Sequence, residues 1–77
     1  MTGEELKHKR VSAGIAGRLL CARAKMDRSR LSNIERGYIQ PSEAELARVV
    51  EALDGLIQAK RELAAAAVRV GWPVSAL

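Results

Sequence analysis

Apolar residues recur at helical spacing in short bursts, each bounded by a capping residue or a glycine. Thr2 and Glu5 have the spacing of a capping box, which starts a first helix near Gly3 and carries it to Ser12 before Gly14 stops it. Ile15, Ala16, Leu19, Leu20 and Ala24 predict a second helix from Ile15 to Ala24, with Leu20 and Cys21 facing inward. Lys25 and Met26 form the turn. Asp27 caps a third helix, Arg28 to Arg36, which buries Leu31 and Ile34 and is closed by Gly37. After the loop "YIQP", Ser42 caps a fourth helix. Its first turn carries Glu43 and Glu45, matched to the helix dipole, and its buried stripe is Leu46, Val49, Val50 and Leu53.

The remainder reads as helix to about Val70, where Gly71 and Pro73 stop it. Asp54-Gly55 interrupts the pattern. Asp54 can cap a separate fifth helix, or the chain can run straight through at roughly 1 kcal/mol for the glycine; the reading favours a bend near Gly55. Positions 49, 53, 56, 60, 63, 67 and 70 form a heptad-like seam, with Lys60 out of character in it. The expected division is a domain over residues 1–54 and a C-terminal helix and tail over 55–77.

Composition supports an all-α fold. There is no Phe, a single Trp72 and a single Tyr38, and the apolar weight lies in Leu, Val, Ile and Ala. One cysteine, Cys21, excludes an internal disulfide and a multi-Cys zinc site. The charged N-terminus and the lack of an apolar run near ~18 residues give no targeting or membrane segment, so a cytoplasmic protein without membrane contact is expected. Residues 1–41 hold nine Lys/Arg against four Asp/Glu, whereas residues 42–77 hold four against five. The basic charge therefore belongs to the N-terminal half, which suits a polyanion partner or a merely basic soluble surface.

The third helix separates these readings. From Arg28 to Asn33 it carries two arginines, two serines and an asparagine around one leucine, so it gains little by folding for its own sake. Two short helices joined by a tight turn, the second polar and capped, form a helix-turn-helix whose second helix enters the major groove of double-stranded DNA. Arg28 and Arg30 can fork onto guanine or bind phosphate, and Asn33 can make a two-point contact with adenine. Ser29 and Ser32 permit close approach. Base-reading candidates are therefore Arg28, Ser29 and Asn33, with Arg30 toward the flank. Arg18, Arg23, Lys25, Arg36, Tyr38 and Gln40 are candidates for phosphate contact.

The segment from Gly14 to Leu53 resembles the phage repressor and Cro-type helix-turn-helix family, also called the xenobiotic-response-element family. The resemblance rests on Gly14-Ile15, Leu20-Cys21, Met26, Ser32, Ile34-Glu35-Arg36-Gly37, Pro41-Ser42 and the leucine-rich run from Leu46 to Leu53. It implies a four- to five-helix repressor-like domain with a C-terminal helical extension, binding palindromic operators as a homodimer. It also implies a partly buried structural ion pair between Arg10 and Glu35, and a core place for Cys21. Two positions depart from the family. Gly17 stands where a phosphate-touching Gln is frequent, and Lys25 replaces the turn glycine, at a cost of order 1 kcal/mol if its φ is positive.

No residue pattern suggests an enzyme, a cofactor or a metal. His8 is a lone surface histidine, and Glu43, Glu45, Glu51 and Glu62 read as a solvated helix face. The apolar residues of the C-terminal third exceed what a four-helix core hides, which predicts a dimer interface at Leu56, Leu63, Ala67, Val70 and Trp72, the alternative being a last helix folded back on its own domain. The functional expectation is a DNA-binding transcriptional regulator, a repressor by promoter occupancy. The alternative is an antitoxin-like or adaptor protein whose C-terminal helix binds a protein partner.

Overall fold

The computed structural model describes the backbone of residues 1–70 and the side chains of residues 1–66. Four helices follow in order: α1 Gly3–Ser12, α2 Gly17–Ala24, α3 Arg28–Glu35 and α4 Glu43–Val70. The fold is all-α, with no strand among the described residues.

Three of the four helix starts have a side-chain cap. The Thr2 side chain accepts the Glu5 amide at 3.1 Å, and Glu4 and Glu5 begin α1 while Lys9 and Arg10 end it, both in the sense the helix dipole favours. Gly14 reverses the chain at φ 70°. The Ile15 amide then donates to the Arg10 carbonyl at 3.1 Å, so Ile15 belongs to the linker and α2 starts two residues later than its apolar spacing suggests. Ile15 is nonetheless buried; apolar periodicity recorded its burial and mistook the linker for helix. Asp27 accepts the Ser29 amide at 3.1 Å and opens α3. Arg36 caps the end of α3, one residue short of expectation, and Gly37 follows at φ 82°, the left-handed region that a glycine enters without strain. The Ser42 hydroxyl accepts the Glu45 amide at 3.2 Å at the start of α4.

The main packing joins α2 to α4, α1 to α3 and α2 to α3. Leu6, Leu20, Ile34, Val49 and Leu53 are fully buried at the centre, with Ile15, Cys21, Ala24, Leu31 and Ala52 around them. Of the stripe expected on α4, Val49 and Leu53 reach the interior while Leu46 and Val50 are half-buried.

The expected bend near Gly55 is absent: α4 runs unbroken for 28 residues. Asp54 caps nothing and instead pairs with Lys9 of α1 at 2.6 Å. Gly55 lies beside the exposed Arg23 side chain, whose guanidinium would have to move aside for a Cβ there. Lys60, the odd member of the apolar seam, also has a tertiary reason. Its ammonium donates to the Ala13 carbonyl at 2.9 Å and the Gly14 carbonyl at 3.2 Å, satisfying acceptors just past the C-terminus of α1. Gly3 marks the tightest approach of all, since a Cβ there would run into the Ile34 carbonyl of α3.

Candidate nucleic-acid interface

Successive helical residues turn by about 100°, so α3 can be divided by direction. Leu31, Ile34 and Glu35 point into the domain and are buried. Ser29, Ser32, Asn33 and Arg36 fall on the opposite side, and with Arg28 they line a wide, shallow surface hollow. Arg28, Ser29 and Arg36 are exposed, and Ser32 and Asn33 are half-buried. The carbonyl of Asn33 also accepts the amides of Tyr38 (2.8 Å) and Ile39 (3.2 Å), which ties the loop to the end of α3.

Two features hold this helix at a fixed angle. The first is the turn. Lys25 has φ 54° and ψ 51°, a left-handed conformation for a residue with a Cβ, and Met26 donates back to the Cys21 carbonyl at 2.9 Å. The second is the pair between Arg10 and Glu35. Arg10 Nε donates to Glu35 Oε2 at 2.8 Å, Nη2 to Oε1 at 3.0 Å, and Nη1 to the Ile15 carbonyl at 2.9 Å. The side chains are only 15% and 7% exposed. The hydrogen bond to Glu35 raises the Arg10 pKa further above its ordinary value. One guanidinium thus joins α1, the α1–α2 linker and α3.

Arg30 does not join the outward face. It lies on the α4 flank of α3, where Nε and Nη2 meet Glu45 Oε2 and Oε1, both at 2.7 Å. A carboxylate one helix away claims both arms of its fork, so the base-reading role expected of Arg30 would require it to leave Glu45. Arg23 is exposed, with its guanidinium close to Gly55 on α4.

The other expected phosphate-contact residues, Arg18, Lys25, Arg36, Tyr38 and Gln40, are all exposed. Arg36 and Gln40 share a second hollow with Lys7 and Gly37, between α1 and the loop after α3. Lys7, which the sequence did not single out, is brought to this hollow with Glu4 by the packing of α1 on α3. Arg18, Lys25 and Tyr38 line neither hollow.

Gly17 leaves a notch between α2 and α3, bordered by Arg10, Cys21, Arg28 and Glu35. A Cβ at Gly17 would make only ordinary contacts, at 3.8 Å to Arg10, so this position tolerates a side chain. Cys21 is buried, and burial pushes its thiol above the ordinary range while the Arg28 charge pulls the other way. His8 is exposed on α1. Among the described residues no group of His, Cys, Asp and Glu has metal-binding geometry, and no helix is long and apolar enough to cross a membrane.

A family model described as "Helix-turn-helix domain" matches residues 3–56, from the first turn of α1 into the middle of α4. The chain belongs to this family. Comparison with curated proteins and with solved structures returned no match. Within the helix-turn-helix, α2 is the first helix of the motif, Lys25 its turn, and α3 the helix that such DNA-binding domains present to the major groove.

Of the residues expected at a dimer interface, Leu56 is half-buried against its own core and Leu63 is 41% exposed. Ala67 and Val70 lie in α4, but their side chains are outside the described residues, as is Trp72 altogether.

Proposed function

We propose that the protein is a sequence-specific transcriptional regulator of the phage-repressor and Cro type, which represses by occupying promoter DNA. The division of α3 carries this reading: its apolar residues and its carboxylate face the core, while Arg28, Ser29, Ser32, Asn33 and Arg36 share one open surface. Arg28 and Asn33 offer two-point donors and acceptors to base edges, and the serines keep the backbone close to the groove. Lys7, Arg18, Lys25, Arg36, Tyr38 and Gln40 supply phosphate contacts that set register.

Selection of bound sites from random duplex DNA tests the reading. A palindromic consensus is expected. Arg28→Ala or Asn33→Ala should relax preference at one position per half-site by about 1–3 kcal/mol, whereas Lys7→Ala should weaken all sequences alike. A selection without enrichment refutes it.

The palindrome requires a dimer, for which α4 beyond the core is the surface proposed. Leu63 is exposed on α4, and a shallow hollow on the same helix is lined by Ala13, Ile57, Lys60, Arg61 and Ala64. A two-fold pair through this region would set two α3 helices about 34 Å apart, one turn of DNA. Leu63→Glu should convert a sedimenting dimer to a monomer and abolish operator binding at low protein concentration.

A further inference from the structure

Arg28 and Arg30 leave α3 on opposite flanks, and their surroundings differ. Among the described residues Arg28 forms no ion pair. Arg30 is held by both oxygens of Glu45 at 2.7 Å. Glu45 is itself well fixed. It stands in the first turn of α4, where the helix dipole favours a carboxylate, and its amide is held by the Ser42 hydroxyl. Its side chain is 15% exposed, against 44% for Arg30. The principal helix contacts are α2 with α4, α1 with α3 and α2 with α3, so this pair bridges two helices that are not principal packing partners.

A lone arginine on the flank of a groove-binding helix is a general phosphate ligand. Affinity for arbitrary DNA comes almost wholly from such neutralised phosphates, each adding about 0.9 to the dependence of log K on log salt. A cation already matched by a carboxylate contributes little to that sum. The outward face of α3 is untouched, because Ser29 and Asn33 lie on another side of the helix.

We propose that Glu45 is an affinity-limiting residue: by holding Arg30 on the α4 side it keeps that guanidinium off the DNA backbone, lowering affinity for duplex of any sequence and leaving base reading intact. The proposal rests on the DNA-binding reading above. It makes a carboxylate that touches no base a limiter of the sequence-independent part of binding, the part that salt controls.

The experiment measures binding of the full chain to a duplex of arbitrary sequence and to a selected duplex, across a salt series. The proteins are the parent, Glu45→Gln, Arg30→Gln, the double variant, and Glu51→Gln as a control for loss of a remote α4 carboxylate. Glu45→Gln should bind the arbitrary duplex several-fold more tightly, with a salt slope steeper by about 0.9. Affinity for the selected duplex should rise by a similar factor, leaving the preference unchanged, and the double variant should bind arbitrary DNA as Arg30→Gln does. Helical circular dichroism confirms that each variant is folded at the measuring temperature.

An unchanged arbitrary-sequence affinity in Glu45→Gln overturns the proposal. So does an equal gain in the Arg30→Gln background or in Glu51→Gln, which would mean that only net charge matters. Loss of selected-duplex affinity without gain on arbitrary DNA would make the pair a brace and also overturn it. If the parent itself shows no salt-dependent duplex binding, the DNA reading fails first and this inference falls with it.

Discussion

Two arginine–glutamate pairs fasten α3 to its neighbours, and in bond geometry they are nearly twins. Arg10 reaches from α1 to Glu35 at 2.8 and 3.0 Å, and Arg30 reaches from α3 to Glu45 on α4 at 2.7 Å twice. Their surroundings separate them. The inner pair is mostly covered and has a third bond to the Ile15 carbonyl, whereas Arg30 in the outer pair is exposed. Water screens the outer pair and competes for its donors, so its contribution to stability is small despite its shorter bonds. For the inner pair, loss of either member strands the other in a poorly solvated site. Distance describes an ion pair, while burial determines what breaking it costs.

The largest effect should come from the inner pair. Arg10→Met or Glu35→Gln is expected to cost about 3–5 kcal/mol in urea denaturation, and replacing both with apolar residues should recover part of that. If Arg10→Met is as stable as the parent, the two pairs do not differ in kind. Next comes the contact beside it on the inner side of α3. Gly3→Ala forces a Cβ against the Ile34 carbonyl and should destabilise by about 1–3 kcal/mol, read from the same transition.

A smaller effect, of opposite sign, is expected at the turn that feeds α3. Lys25→Gly removes the strain of a left-handed residue, in part offset by the freer unfolded chain, for a net gain of up to about 1 kcal/mol in thermal unfolding. The outer pair should come last, and pH isolates it. Its hydrogen bonds to Arg30 hold the Glu45 carboxyl below the usual carboxylate range. The associated stabilisation is fully present above the ordinary glutamate pKa and is lost as pH falls through the lowered folded value. Glu45→Gln should therefore match the parent in strong acid and fall slightly below it near neutrality; a variant equal to the parent throughout would show that the outer pair adds nothing to stability.

Helix starts were legible wherever a side chain marks them, as Thr2, Asp27 and Ser42 do. Elsewhere periodicity reported burial rather than conformation, so Ile15, buried in a linker, was read into α2. Gly55 misled in the opposite direction. Local propensity marks a glycine as a weak point, but one glycine costs a helix only about 1 kcal/mol, and α4 passes through it. The site divided similarly. The outward residues of α3 and the flanking place of Arg30 could be read from their spacing alone. The arrival of Glu45 from another helix to hold Arg30 could not. Lys7 and Lys60 carry no local signal either, since each acts on an element distant along the chain.

The close passage of Gly3 over Ile34 has an evolutionary corollary. Positions this near the beginning of a domain ordinarily drift, because little packs on them. Here main chain meets main chain, and no side chain of any kind fits between. Across descendants of this sequence, glycine at position 3 should persist as stubbornly as leucine at position 53, while the acidic residues immediately after it vary freely.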